Sequence, residues 1–178
     1  KIKKLPARDE VAPADTWDLS SLFADGEAWE AAFRKWERRI SGFERFRGKL
    51  GQDAATLAAC LKFDCDFDRL SERLGGYSHL KAAEDQANSR YQAMVARFQN
   101  VATRASEAAS YIRPEILAIP AAKMQQLLEA KELQPYRLVL QRILRFKKHT
   151  LGKKEEELLA MQGEMAQTAS KAFRQLHD

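Results

Sequence analysis

The feature that most constrains this chain is a recurrence of apolar side chains every three or four residues over two long stretches. One stretch runs from Leu57 to Tyr77 and the other from Tyr91 to Ile112. Side chains at this spacing share one face of an α-helix, whereas a half-buried strand alternates with period two. No sustained alternation is present, and eight glycines and five prolines are few for many strands joined by tight turns. We therefore predict an all-α fold in which the two long helices form an antiparallel hairpin.

The long helices have recognisable starts. Asp53 can cap the first of them, Asn88 or Ser89 can start the second, and Asp25 can cap an earlier helix. That earlier helix carries an aromatic stripe, which we predict to be core: Trp29, Phe33, Trp36 and Phe43. Gly75 and Gly76 interrupt the first long stretch, and we predict a kink or a close helix contact there, because the apolar pattern continues beyond them.

The chain divides into three segments by this pattern. Residues 1–24 lack a helical period, and their prolines favour extended backbone, so they are predicted to form an extended arm. Residues 25–112 form the long-helix region and residues 113–178 hold shorter helices, with a last helix near 152–176; we predict that all three make one structural unit. The arm is predicted to dock through four apolar anchors: Trp17, Leu19, Leu22 and Phe23.

The basic charge is concentrated in one segment. The net charge of the chain is +5, but residues 131–154 contain eight basic residues and one acid, a net +7, which leaves −2 for the remainder. Such a segment can contact a partner, a substrate or nucleic acid, or it can be a solvated helix face, and we favour the solvated face. No nucleic-acid-binding motif accompanies it. The candidate site is a basic patch of five residues: Arg137, Arg142, Arg145, Lys147 and Lys148.

The sequence offers little chemistry. There is no His-Glu-x-x-His, phosphate-binding glycine loop or nucleophile elbow, so no catalytic or metal-binding residue is predicted in this chain. His79 is expected to be a surface or hydrogen-bonded residue. Alternating acids at Asp64, Asp66 and Asp68 resemble the start of a calcium loop but lack its later glycine and glutamate, so they are assigned to a solvated helix face.

Two features of the sequence indicate where in the cell the protein is located: its two cysteines and the absence of an apolar stretch of membrane-spanning length. Cys60 and Cys65 are too few for a disulfide framework, and they are predicted to be reduced, mostly buried thiols. No stretch approaches the length of a membrane span, and no apolar signal region is visible near the N-terminus. We predict a cytoplasmic protein without a membrane contact.

Several short segments together resemble the N-terminal region of oligoendopeptidase F, one of the thimet-type zinc oligopeptidases. The most telling is Thr16–Phe23, TWDLSSLF, which is similar to that family's opening TWDLSDLY. The order and spacing of further segments extend the resemblance over nearly the whole chain: Glu27–Glu30, Phe46–Gly51, Tyr77–Leu80, Glu84–Asp85, Tyr91–Ala93, Tyr136–Arg137, His149–Leu151 and Glu155–Glu157.

The resemblance implies a function for a larger parent protein. Family members hydrolyse oligopeptides with zinc held by a His-Glu-x-x-His motif in a C-terminal catalytic domain, and this sequence stops before such a motif. The chain is then expected to be a non-catalytic helical lobe that walls the substrate channel, inactive alone and without a cofactor of its own. Its expected partners are the catalytic domain of the same parent and, through it, the oligopeptide substrate.

A second hypothesis remains open. The chain could be a stand-alone helical adaptor or a nucleic-acid-binding module that acts through residues 131–154. Binding that weakens steeply with added salt would identify a nucleic-acid-binding module. The sequence does not indicate the peptide specificity or the oligomeric state.

Overall fold

The computed structural model describes residues 10–149, without the side chains of residues 148 and 149. Six α-helices follow one another in this part: α1 (Gly26–Arg38), α2 (Ala54–Glu84), α3 (Ser89–Ala109), α4 (Ile112–Ala118), α5 (Ala121–Glu129) and α6 (Arg137–Arg145). Short 3-10 helices cover Pro13–Asp15, Ile40–Phe46, Lys131–Tyr136 and Phe146–His149. Residues 10–149 contain no strand, which confirms the all-α class. The predicted last helix lies outside the described residues.

The chain divides into two compact units, Lys1–Arg137 and Leu138–Asp178. The first unit contains α1 to α5 and the aromatic core. The described part of the second unit is nearly all of α6 and the short 3-10 helix that follows it. The three-segment division made from the sequence stays a prediction.

Helix starts follow the predicted caps. The Asp25 carboxylate accepts the Ala28 backbone N–H at 2.8 Å, and the Asp53 carboxylate accepts the Thr56 N–H at 2.7 Å. Asn88 caps α3 in the same way through the N–H of Arg90. Each cap satisfies a backbone donor that has no partner within the helix, so these residues fix where the helices begin.

The core of the first unit is aromatic. Trp36 is fully buried and packs against Phe67 of α2 at a ring-centroid distance of 5.2 Å and against Phe98 of α3 at 5.4 Å. The indole N–H of Trp29 donates to the Leu74 carbonyl of α2 at 3.0 Å. The aromatic stripe of the first predicted helix is therefore core, as expected, and it joins α1 to both long helices.

The two long helices touch where glycine gives them room. Helix α2 continues unbroken through Gly75 and Gly76, as the apolar pattern predicts. A Cβ placed on Gly75 would lie 2.8 Å from Cζ of Phe98, so the glycine lets the α3 ring approach the α2 backbone. The four-residue link between Glu84 and Ser89 joins the helices; the specific hairpin arrangement stays a prediction.

Some local predictions are wrong. Trp17, predicted to anchor the arm, is 55% exposed, whereas Leu19 and Phe23 are buried. Cys65 is exposed and only Cys60 is buried. The first helix also ends earlier than predicted, at Arg38, and the chain continues as a 3-10 helix, which lets Phe43 pack edge-on against Phe63 at 4.9 Å.

Candidate interaction surface

Four residues of the predicted basic patch have described side chains, and all four are exposed: Arg137, Arg142, Arg145 and Lys147. The side chain of Lys148 lies outside the described part. Helix α6 supplies the three arginines, and Lys147 follows in the 3-10 helix. The basic charge of this segment thus reaches solvent wherever the structure describes it.

Apolar side chains share that exposure. Leu138 is 59% exposed, Val139 46% and Phe146 52%, and they belong to the small set of large apolar residues exposed in the described part of the chain. Leu140 is fully buried, and Ile143 and Leu144 are half-buried. The helical pattern predicts Val139 to point inward with Leu140, so this expectation is wrong.

One side of α6 brings the two residue types together. At about 100° per residue, Leu138 and Arg142 lie on one side of the helix together with Arg145. Val139 and Phe146 border this side. We call it the α6 face, defined by Leu138, Val139, Arg142, Arg145 and Phe146. Arg137 lies on another side of the helix at this spacing, and Lys147 follows in the 3-10 helix, so neither is counted in this face.

The arginines of α6 lack acidic neighbours. No carboxylate among residues 10–147 forms an ion pair with Arg137, Arg142, Arg145 or Lys147. By contrast, Arg97 of α3 makes a bidentate pair with Glu30 of α1 at 2.7 and 3.0 Å. The charge on α6 is therefore uncompensated within the described part of the chain.

Arginines of α1 and α3 line a cleft of about 410 Å³ between these two helices. Its walls include Arg34, Arg90 and Arg97, and its floor includes Trp29 and Met94. The hydrogen bond from Arg97 holds the pKa of Glu30 well below its usual range, at about 2, with a smaller contribution from Arg34. Arg97 also lies over the Phe33 ring at 4.7 Å. These contacts join two helices, so we assign Glu30 and Arg97 a structural role.

The described residues do not fit a zinc site. They contain no group of three histidine, cysteine or acidic side chains close enough to hold a metal ion. His79, the one histidine with a described side chain, is exposed and donates its Nδ1–H to the Gly75 carbonyl at 2.8 Å. This matches the prediction of a hydrogen-bonded surface residue. No helix among residues 10–149 is long and apolar enough to cross a membrane.

Two buried or partly buried groups on α2 have shifted pKa values. Burial raises the pKa of Asp64 to about 6, with a further contribution from Asp68. Burial also raises the pKa of the Cys60 thiol to about 11, which keeps it protonated and unreactive. The acids were assigned to a solvated face, and for Asp64 this is only partly correct.

Comparison with known proteins gives a consistent relationship. Residues 115–178 match the family model described as Oligopeptidase F. Oligopeptidase PepF of Bacillus subtilis is 36% identical over 182 residues, which covers 100% of this chain and 27% of the relative. Group B oligopeptidase PepB of Streptococcus agalactiae is 29% identical, over 93% of this chain and 28% of the relative.

Solved structures agree with the sequence matches. The oligoendopeptidase-F of Enterococcus faecium superposes with a TM-score of 0.69 at 29% identity, covering 84% of this chain and 30% of that one. A peptidase from Chlamydophila abortus gives a TM-score of 0.78 at 26% identity, covering 96% of this chain and 29% of that one. The chain thus spans less than a third of the length of these relatives.

Proposed function

The chain corresponds to an N-terminal region of oligoendopeptidase F, and from this premise we propose that it is the non-catalytic helical lobe of a larger, cytoplasmic, zinc-dependent oligopeptidase. The observation that carries the proposal is the 36% identity over the whole chain with a relative of which it covers only 27%. A match of this kind supports the proposal that this chain is one part of a longer peptidase.

The catalytic group is proposed to belong to the uncovered part of the parent. The 178-residue sequence contains no His-Glu-x-x-His. A zinc ion held by that motif elsewhere would polarise the scissile carbonyl and lower the pKa of a bound water. The residues of this chain would contribute shape and rigidity instead, through the joined helices α1, α2 and α3.

We further propose that the lobe walls one side of the substrate channel. A wall that is to limit substrates to oligopeptides must resist deformation, and the aromatic core between α1, α2 and α3 supplies that resistance. The exposed ion pairs that join these helices are individually weak, so packing around Trp36 is expected to dominate. The cytoplasmic location is supported by the two free cysteines, which suit a reducing compartment.

The test compares this chain with the longer protein that contains it. We expect the 178-residue chain to retain no stoichiometric zinc after dialysis and to leave a fluorogenic oligopeptide uncut. The longer protein should retain zinc and cut the oligopeptide, and it should cleave short peptides much faster than an unfolded protein such as casein. Mass spectrometry of the protein from its natural source establishes whether the longer chain is made.

Two results would contradict the proposal. One is cleavage of the oligopeptide by the 178-residue chain at a rate similar to that of the longer protein. The other is a longer protein that cleaves casein and short peptides equally well, because a walled channel should discriminate between them. A zinc-free preparation of the longer protein serves as the control for contaminating peptidases.

A further inference from the structure

The α6 face combines two properties that do not usually coexist on a surface open to water. Leu138 and Val139 are 59% and 46% exposed, and they lie beside Arg142 and Arg145. Single exposed apolar residues are ordinary, but here they cluster within one turn of helix and are bordered by Phe146. Arginine together with large apolar side chains is the composition typical of the centre of a protein interface.

The charge on this face limits what can cover it. Arg142 and Arg145 have no carboxylate partner among residues 10–147, so burying them against an apolar or basic surface would leave two desolvated charges without compensation. The covering surface must supply carboxylates at its rim. It must also present apolar side chains opposite Leu138 and Val139.

Nucleic acid fits this face poorly. A phosphate backbone could pair with the two arginines, and a base could stack on Phe146. Leu138 and Val139, however, would then face phosphates and sugar, where aliphatic side chains find no favourable contact. A protein surface satisfies both halves of the face, so a protein is the occupant that the observations favour.

We propose that the α6 face docks onto an acidic, apolar-centred surface in the part of the peptidase that this chain does not cover. This inference rests on the proposed function, because it needs a longer parent. Two observations support this occupant. The family match covers residues 115–178, which include the whole face. The relatives also extend far beyond the matched region, since this chain covers only 27% of the B. subtilis protein.

The test measures how accessible the face is in two proteins. Leu138→Cys is introduced in a Cys65→Ser background into the 178-residue chain and into the longer protein, and labelling by a maleimide is timed. We expect labelling in the longer protein to be slower by about tenfold or more, because a closed interface admits the reagent only while it is open. Labelling of both proteins in denaturant controls for intrinsic reactivity.

Charge variants test the role of the arginines. Adding Arg142→Glu and Arg145→Glu to the longer protein should restore most of the labelling rate. The matched control is Lys35→Glu with Lys123→Glu, which makes the same change in net charge on exposed positions of α1 and α5 and should leave the rate slow. Retention of the slow rate in the arginine variant would overturn the proposal.

Three other outcomes also overturn it. Equal labelling rates in the two proteins would show that nothing covers the face, while the peptidase assay reports separately on the proposed function. Slow labelling that appears only when an uncleavable peptide is added would place the face in the channel. Protection of the 178-residue chain by a short DNA or RNA duplex at physiological salt would identify a nucleic-acid surface instead.

Discussion

Replacing Gly75 by alanine tests how closely α2 and α3 pack. A Cβ at this position would lie 2.8 Å from Cζ and 2.9 Å from Cε1 of Phe98, inside the contact distance of two carbons. The ring cannot move far, since it is stacked on the fully buried Trp36 at 5.4 Å. The substitution therefore forces a displacement in the aromatic core that joins α1, α2 and α3.

Two opposing effects set the magnitude. Alanine improves helix propensity over glycine by about 1 kcal/mol, whereas overpacking a core costs about 1 to 3 kcal/mol. With a central overpacking cost of about 2 kcal/mol, Gly75→Ala should lower the free energy of unfolding by about 1 kcal/mol. In a Phe98→Ala background the clash is absent, and the same change should raise the free energy of unfolding by about 1 kcal/mol. The resulting coupling energy is about 2 kcal/mol, within the range of residues in contact.

The assay is urea unfolding followed by tryptophan fluorescence, which reports on the buried indoles of Trp29 and Trp36. Gly76→Ala is the matched control on the same helix, because a Cβ there meets only Cδ1 of Leu22 at 3.9 Å. It should stabilise the protein by about 0.5 to 1 kcal/mol through propensity alone. If Gly75→Ala has the same effect with and without the Phe98 ring, the steric argument is wrong.

Two further substitutions and one labelling experiment have expected outcomes. Asp25→Ala removes the cap on the Ala28 N–H and should destabilise the protein by about 1 kcal/mol, measured by urea unfolding; no loss would contradict the capping role. The folded-state pKa of Glu30 is depressed to about 2, so its contribution is present above its unfolded pKa near 4.5 and is lost as pH falls toward 2. Glu30→Gln should accordingly flatten the acid limb of the stability curve, and an unchanged limb would argue against the pair. A thiol reagent should label Cys65 in the native protein and Cys60 only after unfolding, because burial raises the pKa of Cys60 to about 11; mass spectrometry of the labelled peptides distinguishes them.

The sequence predicts the helices well where local signals act alone. The three caps and the continuation of α2 through Gly76 need only the residues next to them, because capping and apolar period are local properties. The early end of α1 at Arg38 was not predictable in this way. The 3-10 helix that follows is favoured because it turns Phe43 toward Phe63, a contact that involves another element.

The candidate surface was only half predictable, and helix geometry explains why. The net charge of a segment follows from counting its basic and acidic residues, so the basic character of residues 131–154 is visible without a structure. On α6, however, the apolar residues do not form a single stripe: Val139, Leu140, Ile143 and Leu144 span a continuous arc of about 140°, less than half of the circumference, and Leu138 stands apart from it. The apolar pattern alone therefore does not decide which of these side chains are exposed.

The structure buries a residue near the centre of that arc and exposes one at its edge. Leu140 is buried, whereas Val139 at the edge is 46% exposed and Leu138 on the far side is 59% exposed. Two exposed aliphatic side chains therefore lie beside Arg142 and Arg145, which a purely solvated face would not require. A helix that only needed to close its own core could carry polar residues at positions 138 and 139 without loss. Their apolar character is therefore better explained by a second surface that covers them than by packing among residues 10–147.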